Sequence, residues 1–539
     1  MVARNTVHNV GRAGIVRDTN PHLLPSEFWT GGLNVRFDAN KIASMQGVQS
    51  ILTKSGLLNG GIISSVTQSY FIYTTGTKVY AWDGATEGDI TRATGGDYSE
   101  DIDHLFQILP YNGLGILNNG INVPQLWVPT DVGTKLVALP NWDPLWQAKK
   151  IRSFKNFLFA INMTEGADAY PHKIRWSHPA EPGAVPVSWD ETDATKETGE
   201  FSFADTDKGK LVDGRTLGEQ FFIYKEGSIW AFSYVGGLSI FQRVLVVENI
   251  GLAAERSLVT LPFFRDGRSS VHFFADNENF YIMDGLRPLP VWEDIFKYEF
   301  QKIANLDNWR NRSFGVVNPT KNELWFCFPE QGEEYCTLAF VLNYQNGSST
   351  IKELSGASQI VEGYGQYATV GSSIGDIPFS DETLFSDDTG FYSTETNAAQ
   401  QILIEASPTK EKLFYLETGT TDYDGNNYYS YVMREAIATI KNDSRNEKAD
   451  IVDYNRRKMV HSITPKLYDG SIGLKVGVQE SENTLIDWVD FGLVMPEEYK
   501  LFLTEPLSGR FISFMFYSIP GEKFEIAGFD YEISVLGEF

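Results

Sequence analysis

Cysteine is nearly missing: two in 539 residues, Cys327 and Cys336. That is too few for a disulfide framework or for a four-ligand zinc site. The pair flanks a Pro-Glu-Gln-Gly-Glu-Glu turn, so neighbouring strands of one hairpin would bring them within bridging reach. Cytoplasmic synthesis favours two buried free thiols instead. Positive charge is also short. Lys and Arg number 45 against 70 Asp and Glu, a net charge of -25. This excludes a protein that grips nucleic acid over a broad surface, where basic side chains replace counterions. It does not exclude one that nucleic acid merely passes, and solubility alone accounts for the charge equally well. No apolar run approaches the roughly 18 residues of a membrane span. The opening MVARNTVHNVGRAG lacks the apolar stretch of a secretory signal, so the expectation is a soluble chain made in the cytoplasm, without a membrane anchor. Neither a Walker loop nor a dinucleotide fingerprint occurs.

Aromatic residues, by contrast, are abundant at 14%. With Val, Thr and Gly they favour strands joined by tight turns. One cassette recurs: an apolar strand, a turn with Gly, Asn or Asp, then an aromatic-rich strand. Copies lie at 70–84, 104–120, within 151–190, and at 221–232, 272–285 and 314–328, with a weaker one at 383–392. About seven copies at this spacing predict a β-propeller, one antiparallel sheet per blade. A β-sandwich array or a β-helix is the rival, although a β-helix would show shorter and more regular rungs. Each cassette is read as the middle hairpin of a blade, with Tyr80, Trp230, Tyr281 and Trp325 on corresponding second strands.

The expected fold is therefore all-β with three parts. Residues 1–50 form an extended arm with little patterned apolar surface, which must dock on another domain or a neighbouring subunit. Residues 51–400 form the propeller, with long blade insertions. Residues 401–539 show period-two alternation at 473–479, 509–518 and 524–535, which indicates an antiparallel β-sandwich-like domain.

One insertion stands apart. Between Arg175-Trp176-Ser177 and Ser188-Trp189 lie Pro179, Pro182 and Pro186, a rigid turn that both indoles can pack over. We read Trp176, Pro179, Pro186 and Trp189 as a structural clasp holding a long loop on its blade. Burying each ring is worth about 2–3 kcal/mol.

Signs of chemistry are weak. Gly371-Ser-Ser-Ile-Gly375 has the letters of a nucleophile elbow but no helix-forming sequence after it. Ser386-Asp-Asp-Thr-Gly-Phe-Tyr392 is like an Asp-box hairpin, which is not catalytic. Asp422-Tyr-Asp424-Gly-Asn426 has calcium-type oxygens but lacks the completing Glu, so a tight Asp-Gly turn is expected. The seven histidines are dispersed, and the closest pair, His172 and His178, sits beside prolines. No catalytic, cofactor or metal residue is assigned, and no cofactor is expected.

Three stretches carry a resemblance. They are the opening Gly14-Ile15, Pro21, Leu24-Pro25, Asn34-Val-Arg-Phe37 and Gly47; the clasp Arg175-Trp-Ser177 with Ser188-Trp189; and the close Gly509-Arg-Phe-Ile-Ser-Phe514 with Gly528. As a set they resemble the tail nozzle proteins of short-tailed bacteriophages, also called tail tubular protein B, and related packaged-DNA stabilisation or hub proteins. The resemblance implies a structural virion protein of the viral tail, not an enzyme. Six copies would close a ring below the portal and adaptor proteins, carry tail fibres or spikes, and let double-stranded DNA pass on ejection. The alternatives are a receptor- or glycan-binding tail component and a tail-associated glycosidase on the same scaffold.

Overall fold

The computed structural model describes the chain except residues 1, 26, 39, 65–68, 204, 238, 266, 268, 366–399, 419–421, 441–450, 482–483, 496–500 and 537–539. The weak cassette at 383–392, the Gly371–Gly375 motif and the Asp-box motif lie outside the described residues. The fold is all-β, of the β-propeller class. Among the described residues, six four-stranded antiparallel meanders follow one another in chain order, each with its strands paired in sequence. The first runs Asn59–Ser64, Ser69–Thr74, Val79–Trp82 and Glu87–Asp89; the sixth runs Phe314–Asn318, Glu323–Phe328, Cys336–Asn343 and Ser349–Ala357.

The residues explain the meander. Its second strand is a nearly continuous apolar run, such as Leu114–Asn118, Val271–Ala275 or Glu323–Phe328, and every residue of these three is buried. A strand buried on both faces needs such a run in place of strict alternation. The last strand carries no buried residue in Glu87–Asp89, Val137–Ala138 and Gly199–Ser202. The sixth meander breaks this rule. In Ser349–Ala357 all residues but Glu353 are buried.

The chain divides into two compact units that cut across the boundaries at 50 and 400. One comprises residues 54–204 and 359–406 and holds the first three meanders. In it, Gln359–Gly365 pairs antiparallel with the strand that begins at Gln400. The other comprises residues 1–53, 205–358 and 407–539 and holds the last three meanders together with two larger sheets.

Those two sheets form a sandwich that the C-terminal region does not build alone. In one, the long strand Phe524–Val535 pairs with Lys458–Gly470, and also with Val2–His8 and Lys41–Ser44 from the arm. In the other, Tyr431–Ile437 pairs with Phe511–Tyr517 and with Gly31–Leu33 of the arm. The faces meet through rings: Phe514 on Phe529 at 5.4 Å, Phe516 on Phe529 at 5.2 Å, and Trp29 on Phe516 at 6.1 Å between centroids. The arm thus adds strands to both sheets and a tryptophan to the core between them. A chain with little patterned apolar surface of its own is ordered by pairing along existing edges.

Candidate functional site

The blade aromatics fall into two classes. Tyr80, Trp230 and Tyr281 lie on the third strands of their meanders, opposite Tyr73, Ile223 and Phe274, and all three are half-buried. Trp325 lies on a second strand, between Val316 and Val341, and is fully buried. The four therefore do not share one position. The cassettes at 104–120 and 314–328 are first hairpins of their sheets, whereas 70–84, 221–232 and 272–285 are middle hairpins. A second strand buried on both faces carries the same aromatic signal as a third strand, so composition alone does not tell them apart.

Within residues 54–204, the clasp leaves the third meander after Asp168–Trp176 and returns at Gly199–Ser202. Backbone bonds hold it down: Ala180 N–H donates to Asn156 O and His178 N–H to Ser188 O, both at 2.9 Å. Asn141 Nδ2 donates to the Pro186 carbonyl (3.1 Å), and Glu197 N–H donates to Nδ1 of His178 (3.0 Å). Pro186 is buried and Pro179 half-buried. Trp176 and Trp189 are 4% and 2% exposed, yet they do not share a packing site. Trp176 packs on Phe201 at 5.1 Å, within the sheet. Trp189 packs edge-on against Trp142 at 4.8 Å, and Trp142 in turn meets Trp146 at 5.9 Å. Only the second indole pins the loop.

A charged cluster flanks the clasp. Arg175, stacked 4.1 Å over Trp146, reaches Glu165 (3.3 Å) and Glu200 (2.5 Å), and Lys173 reaches the same two carboxylates at 3.2 and 3.1 Å. Burial would raise Glu200, but hydrogen bonds from Arg175 and Lys173 hold it below the usual carboxylate range. Glu191 is pushed up, first by burial and then by the charge of Glu200. Two carboxyls displaced in opposite directions are the raw material of acid–base chemistry. Here Lys173 and Arg175 occupy the charged partner, and the arrangement serves as an ion-pair network.

In the other unit, the arm is locked by Asn34-Val-Arg-Phe37. Asn34 takes the left-handed conformation (φ 56°), which asparagine tolerates. Its side chain donates to Tyr429 O (3.0 Å) and accepts from Glu353 N–H (2.8 Å). Its own N–H donates to Ile351 O, Thr350 Oγ1 donates to Val35 O, and Ile15 N–H donates to Ser349 O. These contacts cover the last strand of the sixth meander, which explains its burial. Arg36 then enters a buried network. Its Nη2 donates to Glu323 (3.0 Å) and its Nη1 to Glu417 (3.1 Å). Trp325 Nε1 also donates to Glu323 (3.0 Å), while Lys352 reaches the Tyr428 hydroxyl (3.0 Å) and Glu417 (3.5 Å). Two cations meet two carboxylates. Burial opposes every charge, yet Glu417 is held low by Arg36 and Lys352, and Lys352 is held high by Tyr428 and Glu417. Glu323, Lys352 and Glu417 were not singled out in the sequence. The available signal was a charge inside an apolar run, as in Glu323-Leu-Trp-Phe-Cys-Phe328.

The remaining candidates resolve simply. Cys327 and Cys336, on adjacent strands of the sixth meander, are buried free thiols. Asp424 and Gly425 (φ 52° and 79°) form the two-residue turn of a hairpin in which Asp422 faces Asn427. Positive φ at both positions is the mirror-image turn that Asp-Gly favours. The Asp424 carboxylate is engaged by Lys412 at 2.5 Å. Among the described residues no group of three His, Cys, Asp or Glu is placed to hold a metal ion.

No protein family matches the sequence, and no curated protein matches it. Solved structures similar to the chain include the WD40 β-propeller domain of Doa1, at 10% identity and TM-score 0.35 over 69% of this chain and 96% of that one. The AfRom2 CNH domain is similar at 8% identity and TM-score 0.36, over 69% and 99%. The Neurospora crassa Pan2 WD40 domain is similar at 8% identity and TM-score 0.33, over 70% and 95%. At these scores the likeness carries nothing about activity or partners.

Proposed function

We propose that the chain is a structural virion protein, a nozzle or hub subunit of a short bacteriophage tail. In this reading six copies form a ring beneath the portal and adaptor, and duplex DNA passes through it. One observation supports it above the others. The arm, which holds the opening stretch of the resemblance, and the strands that hold its closing stretch are used together. Val2–His8 pairs with Phe524–Val535, and Gly528 there faces His8. A Cβ at Gly528 would stand 2.6 Å from Val7 O, so the arm closes only on a glycine. Arg36 and Asn34 of the opening stretch are spent wholly on internal bonds. Residues that knit one body from two chain ends suit a load-bearing subunit. The glycan-binding alternative draws no support from the clasp, whose two indoles are buried.

Mixing purified chain with portal–adaptor complexes and imaging them by electron microscopy tests the proposal. A ring added below the adaptor is expected. A chain that ignores the adaptor and binds host surface polysaccharide would establish the receptor-binding alternative instead. The acidic charge further predicts duplex binding no tighter than about 0.1 mM at physiological salt.

A further inference from the structure

The outer strand of a sheet exposes a row of backbone donors and acceptors, and proteins blunt such edges or cover them. Among the described residues the six meanders end in outer strands of unequal length. Glu87–Asp89, Val137–Ala138 and Gly199–Ser202 have three, two and four residues. Pro288–Val291, the outer strand of the fifth meander, carries two prolines in four residues. Ser349–Ala357 in the sixth is nine residues long, and the arm covers it. Ile15 N–H donates to Ser349 O (2.8 Å) and Asn34 N–H to Ile351 O (2.9 Å). In this chain a long outer strand is closed by extended backbone.

The fourth meander has the other long outer strand. It runs Leu211–Leu217, Gln220–Lys225, Ser228–Tyr234 and Phe241–Glu248. The last of these has eight residues and, among the described residues, pairs with Ser228–Tyr234 alone. Its register is unbroken from Phe241, opposite Tyr234, to Leu245, opposite Trp230, and the bulge comes afterwards at Val246. No proline interrupts it, and Gln242 and Val244 are exposed, Val244 to 55%. The unbroken stretch carries one charge, Arg243, whose guanidinium lies 5.8 Å from the centre of the Trp230 ring.

We propose that an extended segment of a partner protein adds to this edge as a fifth strand, with an acidic residue opposite Arg243. Only extended backbone presents donors and acceptors at the spacing of a strand. Charge narrows the occupant further. A second copy of the same strand, centred on the unbroken stretch, would set Arg243 against Arg243, and like charges directly opposite are destabilising. An acidic residue there makes the favourable cross-strand pair, and an apolar neighbour beside it meets Val244. The inference stands on this edge alone and is independent of the role proposed for the subunit.

The test is NMR titration of the full chain, labelled at valine methyl groups, with three capped peptides: Thr-Val-Glu-Val-Thr, Thr-Val-Lys-Val-Thr and Thr-Pro-Glu-Pro-Thr. The glutamate peptide should shift Val244 saturably, with a dissociation constant in roughly the millimolar range. The lysine peptide should bind about tenfold more weakly, and the proline peptide should not bind. The net charge of -25 opposes the glutamate peptide elsewhere on the chain, so a preference for it reports Arg243. Arg243→Glu should invert that preference. Arg243→Gln, a gentler change, should abolish it, and it serves as the test if the first variant does not fold. Absence of saturable shifts at Val244, equal binding of the glutamate and lysine peptides by the parent chain, a preference that survives Arg243→Gln, or binding of the proline peptide would each overturn the proposal.

Discussion

Within residues 54–204 a long excursion is held to its sheet by rings, with Trp189 against Trp142 and Trp146 beneath Arg175. In the unit made of residues 1–53, 205–358 and 407–539, a comparable stretch, the arm, is held by strand edges and by buried charges around Arg36. In the clasp the aromatic packing joins residues of one meander and its excursion, needs no ionised partner and survives small adjustments. The ionic lock joins positions up to about 400 residues apart, needs every partner, and turns destabilising once one is removed. The first should fail gradually, the second abruptly.

The sharpest way to break this contrast is Arg36→Met. It leaves Glu323 and Glu417 buried without their main cation and should cost about 3–5 kcal/mol, read as a lowered denaturant midpoint. Adding Glu323→Gln should recover part of that loss, because the orphaned charge is then removed. If Arg36→Met alone leaves the midpoint unchanged, the lock is not what holds the arm.

Trp189→Ala tests the other side, with an expected loss of about 3 kcal/mol from the emptied ring site. Trp189→Phe should retain most of the stability, since packing and not a specific bond is at stake. An equal loss for Phe and Ala would mean that the clasp depends on the indole in particular.

Acidity should separate the regions further. Burial pushes Glu100, at residues 54–204, up to about 7. The folded state therefore holds a proton that the unfolded chain releases from about 4.5 upward, and this contribution to stability declines as pH rises from 4.5 to 7. In the sandwich, Asp530 is buried to an extent that would raise it, but bonds from Arg4 and Lys466 bring it down to about 2. Its contribution is present above 3.8 and is lost as pH falls toward 2. Glu100→Gln should flatten the pH 4.5–7 slope in thermal melts and leave the acid limb untouched. A slope that persists in that variant would assign it to another group.

The smallest effect is expected at the hairpin turn. Gly425→Ala meets no atom within 4 Å, so only its φ of 79° opposes the change, worth about 1 kcal/mol. Calcium should not shift the melting temperature of the parent chain, because Lys412 already engages Asp424. A shift with calcium would show that the ion displaces the lysine.

How much of this was legible in sequence depends on range. The Asp424-Gly425 turn and the buried Trp189 depend on neighbours close in the chain, and local spacing exposed them. The position of Trp325 was misread because a strand buried on both faces has no alternation to number it by. Glu323, Lys352 and Glu417 each look like an ordinary charge, and nothing in a window around any one of them points to the others.

By itself, the order of residues determined an all-β chain, recurrent meanders and tight turns, because apolar patterning and turn chemistry act over a few residues. Only the tertiary structure decided that the arm completes both sheets of the sandwich and that the compact units are discontinuous. Strand edges are read by hydrogen-bonding backbone, which every residue carries alike. Which edge accepts which strand is therefore settled by the packing of distant faces and by charges that are tolerable inside only when they arrive together.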